Sequence, residues 1–145
     1  MDVDVVVDGS VDRLAALAGS LAGTFYYAEP ARFGDRMLAA LIALDGAGKV
    51  DLIVRDPDAW GESAMGRRQR WSHPVLGPIW ISSLEDLVLA KLEWSDGTSE
   101  LQLRDCAALL RVAAGSEDTA YLDRWADRLD LVPLLQQVRG QADAT

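Results

Sequence analysis

Apolar and polar positions along the chain change period several times, and each change marks a predicted element. Val3 to Val7 form a β-branched run closed by Asp8-Gly9-Ser10, which reads as a short buried strand. The stretch VDRLAALAGSLAG then sets Val11, Leu14, Leu17, Ala18 and Leu21 on one helical face, with Ser10 or Asp8 as the cap and Gly23 as the stop. TFYYAE predicts a second strand. EPARFGDR, with Pro30 in an N1-like place, predicts one or two helical turns. MLAALIAL and KVDLIV flank DGAGK, a Gly-rich turn between apolar arms, so they predict a β-hairpin. In its second arm Val50, Leu52 and Val54 alternate with Asp51 and Ile53. PDAWGESAMGRRQRW predicts a short helix and a polar connection, and HPVLGPIWIS a further strand interrupted by prolines.

After residue 82 the period becomes helical. SSLEDLVLAKLEW opens with a capping box, Ser83 followed by Asp86, and TSELQLRDCAALLRVAAG forms a second helix stopped at Gly115. DTAYLDRWADRLD and LVPLLQQVRG add two more, and QADAT is expected to be a frayed tail. The predicted fold is therefore α+β. A small mixed sheet flanked by helices over 1–82 is followed by a helical bundle over 83–140 packed on it, with 141–145 as the tail.

Composition narrows the function classes. The chain has 145 residues, half of them hydrophobic, which suits one folded domain with a real core. Its apolar runs are too short to span a bilayer, and the acidic N-terminus lacks the basic start of a secretory signal. The single cysteine, Cys106, excludes an internal disulfide and suits a buried thiol in a reducing, cytoplasmic setting. With 14 basic against 23 acidic side chains the net charge is −9, which disfavours general nucleic-acid binding but leaves room for one local basic patch. Basic residues are almost all arginine. Lys49 and Lys91 are the two lysines.

Candidate chemistry centres on carboxylates. Asp2 and Asp4 have period 2, so they share one face of their strand. Asp51 lies in the middle of the KVDLIV arm. If the two strands belong to one sheet, three carboxylates converge, and they need a cation to balance their repulsion. Mg²⁺ is the natural partner for such oxygen donors, shared with substrate phosphates and used in pairs for phosphoryl or nucleotidyl transfer. The alternative is that these acids are surface residues of an edge strand and a hairpin.

DVDVVV with KVDLIV resembles the Asp-x-Asp and third-acid strands of the nucleotidyltransferase superfamily with the minimal, DNA-polymerase-β-like fold. With ISSLEDLVLAKLEW, SELQLRDCAALL and DTAYLDRWADRLDL in order, nearly the whole chain is similar to bacterial stand-alone nucleotidyltransferase-like proteins related to AbiEii-type toxins. The resemblance implies that Asp2, Asp4 and Asp51 are catalytic and metal-binding, holding about two Mg²⁺. It implies that Lys91 contacts nucleotide phosphates and that Arg104 and Asp105 support the site. It implies transfer of a nucleoside monophosphate from a triphosphate to a hydroxyl of RNA, such as tRNA, or of protein, with a cognate antitoxin as partner. The family pattern also places a Gly-Ser motif upstream of Asp-x-Asp to cradle the phosphates. Met1 directly precedes Asp2, so the core is expected to be truncated at its N-terminus. The competing reading is a catalytically degenerate binding or regulatory module of the same fold.

GRRQRWSHP is the one basic cluster. Arg67, Arg68 and Arg70, beside Trp71 and His73, could hold a triphosphate or grip RNA, or could simply be a solvated loop. His73 has no partner His or Cys and suits a surface or packing role. Trp94 and Trp125 fall on predicted helices and suit packing.

Overall fold

The computed structural model describes residues 2–144. Among them the chain is α+β and divides into two compact units between Glu62 and Ser63. The break falls earlier than the change of sequence character at residue 82, because the last part of the first stretch pairs with itself and not with the main sheet.

The first unit holds β1 (Asp2–Val6), α1 (Val11–Ser20), β2 (Phe25–Phe33), β3 (Arg36–Ala43) and β4 (Lys49–Arg55). They form a four-stranded mixed sheet in the order β1-β4-β3-β2, in which β1 runs parallel to β4 and the other pairs are antiparallel. α1 lies on one face. Its Leu14 and Ala18 pack with Ala39 and Leu41 of β3 and with Leu52 and Val54 of β4. That contact selects the parity of the whole sheet, since alternate residues of every strand must point to the other side.

Three expectations are corrected in this unit. β1 is a strand but not a buried one. It is an edge strand, paired on one side, and all five of its residues are exposed. EPARFGDR is not helical. β2 runs through it to Phe33, and Gly34 at φ +58° turns the chain into β3. Pro30 is tolerated because β2 is the other edge and the β2/β3 register shifts between Ala28 and Ala31. Leu17, expected on the packed face of α1, is exposed. The DGAGK turn does connect β3 to β4, with Gly46 at φ +75° and the Asp45 carboxylate accepting from the Ala47 amide at 2.9 Å.

α2 (Ala59–Arg67) crosses the boundary between the units. In the second unit β5 (Gln69–His73) and β6 (Gly77–Ile81) form a separate two-stranded sheet, so the basic cluster expected in a loop lies at the end of α2 and along a strand. α3 (Leu84–Ser95), α4 (Glu100–Ala113), α5 (Thr119–Arg128) and α6 (Val132–Asp143) follow. α3 packs on α4 and α5, and α6 on α4 and α5. Val88, Leu89, Leu92, Cys106, Leu122, Ala126 and Val138 are fully buried between them. Burial pushes the Cys106 thiol up to about 11, so it stays a protonated core residue. Trp125 packs in this core, but Trp94 is 40% exposed and so departs from its expected packing role. The expected tail is helical as far as Asp143, and Arg111 donates to the carbonyls of Gln141 and Ala142, while Thr145 lies outside the described residues.

Val88, Leu89 and Leu92 of α3 are fully enclosed in the helical core. Leu89→Ala should destabilise the protein by about 2–5 kcal/mol, because a fully enclosed side chain leaves a cavity. Urea unfolding followed by circular dichroism checks this. A midpoint equal to that of the unaltered chain would contradict the packing described.

Candidate functional site

The parity set by α1 places the candidate acids. Leu52 and Val54 face the helix, so Lys49, Asp51 and Ile53 take the opposite face of β4. In the parallel β1/β4 register, Asp2 is the partner of Lys49 and Asp4 the partner of Asp51. Neighbouring strands are about 4.8 Å apart. Asp2, Asp4, Lys49 and Asp51 therefore stand on one face as two adjacent rows. Tyr26 and Ile42, partners of each other on β2 and β3, extend the same face, since Ile42 is also the partner of Lys49.

Lys49 changes the electrostatics of this face. Its Nζ lies 2.7 Å from Asp51 Oδ2. The hydrogen bond and charge of Asp51 hold its pKa above the ordinary value, with added attraction from Asp2 and Asp4. The lysine was legible only as part of a hairpin turn. The signal that could have found it is its spacing, two residues before Asp51 on an alternating strand.

Hard carboxylate oxygens are the right donors for Mg²⁺, but their arrangement is not a ready-made metal cage. Among the described residues no three or more His, Cys, Asp or Glu side chains are grouped so that they could hold one ion. Asp2 and Asp4 are exposed and Asp51 is half-buried, so desolvation does not force a counter-ion on them. The cation in contact with Asp51 is Lys49.

The other candidate residues belong to the second unit. Lys91 Nζ meets Asp105 Oδ2 at 2.9 Å and Gln102 Oε1 at 3.1 Å, joining α3 to α4. Asp105 thus pairs across the helices, and Arg104 instead lines a shallow open recess with Ala107, Arg111, Gln141 and Ala144. The arginine cluster divides. Arg67 turns inward, 3.0 Å from Glu85, 3.6 Å from Asp118 and 3.8 Å from Asp86, with its guanidinium 3.9 Å from the Tyr121 ring centroid. Arg68 and Arg70 remain exposed.

Around Arg67 lies a polar network that residue-by-residue reading missed, although the Ser83–Asp86 capping box is its visible edge. The Asp86 amide donates to Ser83 Oγ at 3.1 Å and the Ser83 hydroxyl to Asp86 Oδ2 at 2.5 Å. The Tyr121 hydroxyl donates to Asp86 Oδ1 at 2.7 Å and lies 3.1 Å from Ser63 Oγ. Burial, together with the hydrogen bond to Asp86, pushes Tyr121 up to about 12, so it stays a donor. The Asp118 amide donates to Glu85 Oε1 at 2.8 Å. Glu85 and Asp86 are both buried, which such a network makes tolerable. His73 has a structural role: its Nδ1 accepts the amides of Val75 and Leu76, each at 3.1 Å, and so shapes the hairpin tip.

No protein-family model, no curated protein and no solved structure matches the chain.

The Glu85 cluster makes a pH-dependent contribution with a defined sign. Burial raises the Glu85 pKa, but the Asp118 amide, its own amide and Arg67 outweigh this and hold it below the ordinary 4.5. Its stabilisation is therefore complete above 4.5 and is lost as pH falls through the lower folded-state value. Glu85→Gln should be less stable than the unaltered chain at neutral pH and show a shallower loss below that value. Urea midpoints at stepped pH check this, and parallel curves would refute it.

Proposed function

We propose that this chain is a nucleotidyltransferase-like protein that transfers a nucleoside monophosphate from a nucleoside triphosphate to a hydroxyl of RNA or protein, as the toxin of a toxin–antitoxin pair. The observation that carries the proposal is the parallel β1/β4 register, with Asp4 opposite Asp51 and Asp2 on the same face. The resemblance of the two strand motifs requires this juxtaposition, and alternation alone would not produce it, because β1 could have paired elsewhere or not at all. In this reading Asp2, Asp4 and Asp51 hold Mg²⁺, which would supply charge neutralisation at the phosphates. The chain's own part is to present three carboxylates on a rigid sheet face and to orient the acceptor.

The Lys49–Asp51 ion pair favours a second reading, in which the fold is kept as a binding or regulatory module and the ammonium takes the place of the metal. The two readings separate experimentally. The purified chain is incubated with Mg²⁺, each labelled triphosphate and tRNA, or with itself as the acceptor. The transferase reading expects label transfer that falls at least about 100-fold in Asp4→Ala, the scale of losing an electrostatic stabiliser of a transition state. Absence of transfer, or transfer indifferent to Asp4→Ala, refutes it. The module reading expects no Mg²⁺ binding heat from the unaltered chain and measurable binding once Lys49→Gln frees Asp51. Equal heats from both proteins would count against that substitution of charge.

A further inference from the structure

The β5–β6 hairpin carries a surface that the transfer reading does not use. Between Glu62 and Glu85 the sequence contains no carboxylate, although the chain has 23 acids, and it contains Arg67, Arg68 and Arg70. Arg67 is committed inward to Glu85. The antiparallel register makes Arg70 the partner of Trp80, so the two share one face of the hairpin. The Arg68 guanidinium lies 4.7 Å and that of Arg70 5.9 Å from the Trp80 ring centroid. Among the described residues neither arginine is in an ion pair, although Arg68 also donates to the Met65 carbonyl. The indole itself is 57% exposed. Trp71 and Ile79 are partners on the opposite face, and Trp71 meets His73 edge-on at 5.2 Å.

This combination selects its ligand by chemistry. A half-bare indole is a flat apolar surface, and two guanidiniums placed over part of its ring supply positive charge in an otherwise acidic molecule. An acidic peptide would use the arginines and leave the indole idle. A duplex would offer phosphates but keep its bases stacked out of reach. A single strand offers both, a base to stack and phosphates on either side. We propose that the β5–β6 hairpin is a platform for single-stranded nucleic acid, with Trp80 stacking a base and Arg68 and Arg70 holding the flanking phosphates. The His73 ring sets the geometry of the tip by capping two amides. This goes beyond the transfer proposal and does not rest on it.

The test is fluorescence anisotropy of labelled oligo(U) and oligo(dT) of about twelve nucleotides, a length that suits a small single-strand site. Titrations run between about 50 and 200 mM salt with the full chain. Trp80→Leu should weaken binding roughly 5- to 150-fold, the range for losing one stacked base, whereas Trp80→Phe should stay within a few-fold of the unaltered chain. Removing both arginines, Arg68→Ala with Arg70→Ala, should lower the salt slope by about 1.4, for two single-strand phosphates. The two oligonucleotides distinguish ribose from deoxyribose strands, and binding of either supports the platform. No binding at the lower salt, full binding by Trp80→Leu, equal affinity for a duplex, or equal affinity for a polyglutamate peptide would overturn it. Binding is read without Mg²⁺ or triphosphate, and label transfer is read in its own assay, so this proposal and the transfer proposal fail separately.

Discussion

Alternation across the four-stranded sheet is the constraint from which the first unit follows. Leu14 and Ala18 of α1 need an apolar surface, and Ala39, Leu41, Leu52 and Val54 supply it. Once those side chains face the helix, Asp2, Asp4, Lys49 and Asp51 have no choice of side. The acidic face is thus a geometric by-product of hydrophobic burial on the other side. A shift of one residue in β4 would send Leu52 to the acidic face and Asp51 into the core, so packing and charge placement are selected together.

That face is held by local neutralisation and not by burial. Exposed carboxylates on an edge strand keep most of their hydration, so their mutual repulsion is modest and a single lysine can offset much of it. The second unit handles acids differently. Glu85 and Asp86 are buried, and each is satisfied by several donors, from Arg67, Ser83, Tyr121 and the Asp118 amide. One set of acids is open to exchange its cation, and the other is locked into the architecture.

Features written in local chemistry were legible in the sequence. DGAGK announced the β3/β4 hairpin because a Gly-rich turn needs no distant partner, and Ser83 with Asp86 announced α3 because a cap is made within one turn. The face shared by Asp2, Asp4 and Asp51 followed from period 2 plus one assumed pairing. What failed depended on tertiary position. A run of valines signals a strand but not how many neighbours it has, so β1 was expected to be buried and is an edge. Pro30 reads as a helix start unless the strand it interrupts is known to be at an edge. The basic cluster looked like one feature, yet Arg67 and its neighbours separate because a buried glutamate, distant in sequence, claims the first of them.

The connectivity of the sheet also bears on how the first unit assembles. β2, β3 and β4 are joined by short turns, so their antiparallel pairing closes small loops at low entropic cost. β1 must instead find β4 across the whole intervening chain, the longest closure in the unit, and parallel pairing of this kind is slow. The acidic face is therefore expected to be completed last during folding. Until β1 docks, Asp51 and Lys49 form a neutral couple on a three-stranded meander, and the arrival of Asp2 and Asp4 is what turns that face negative.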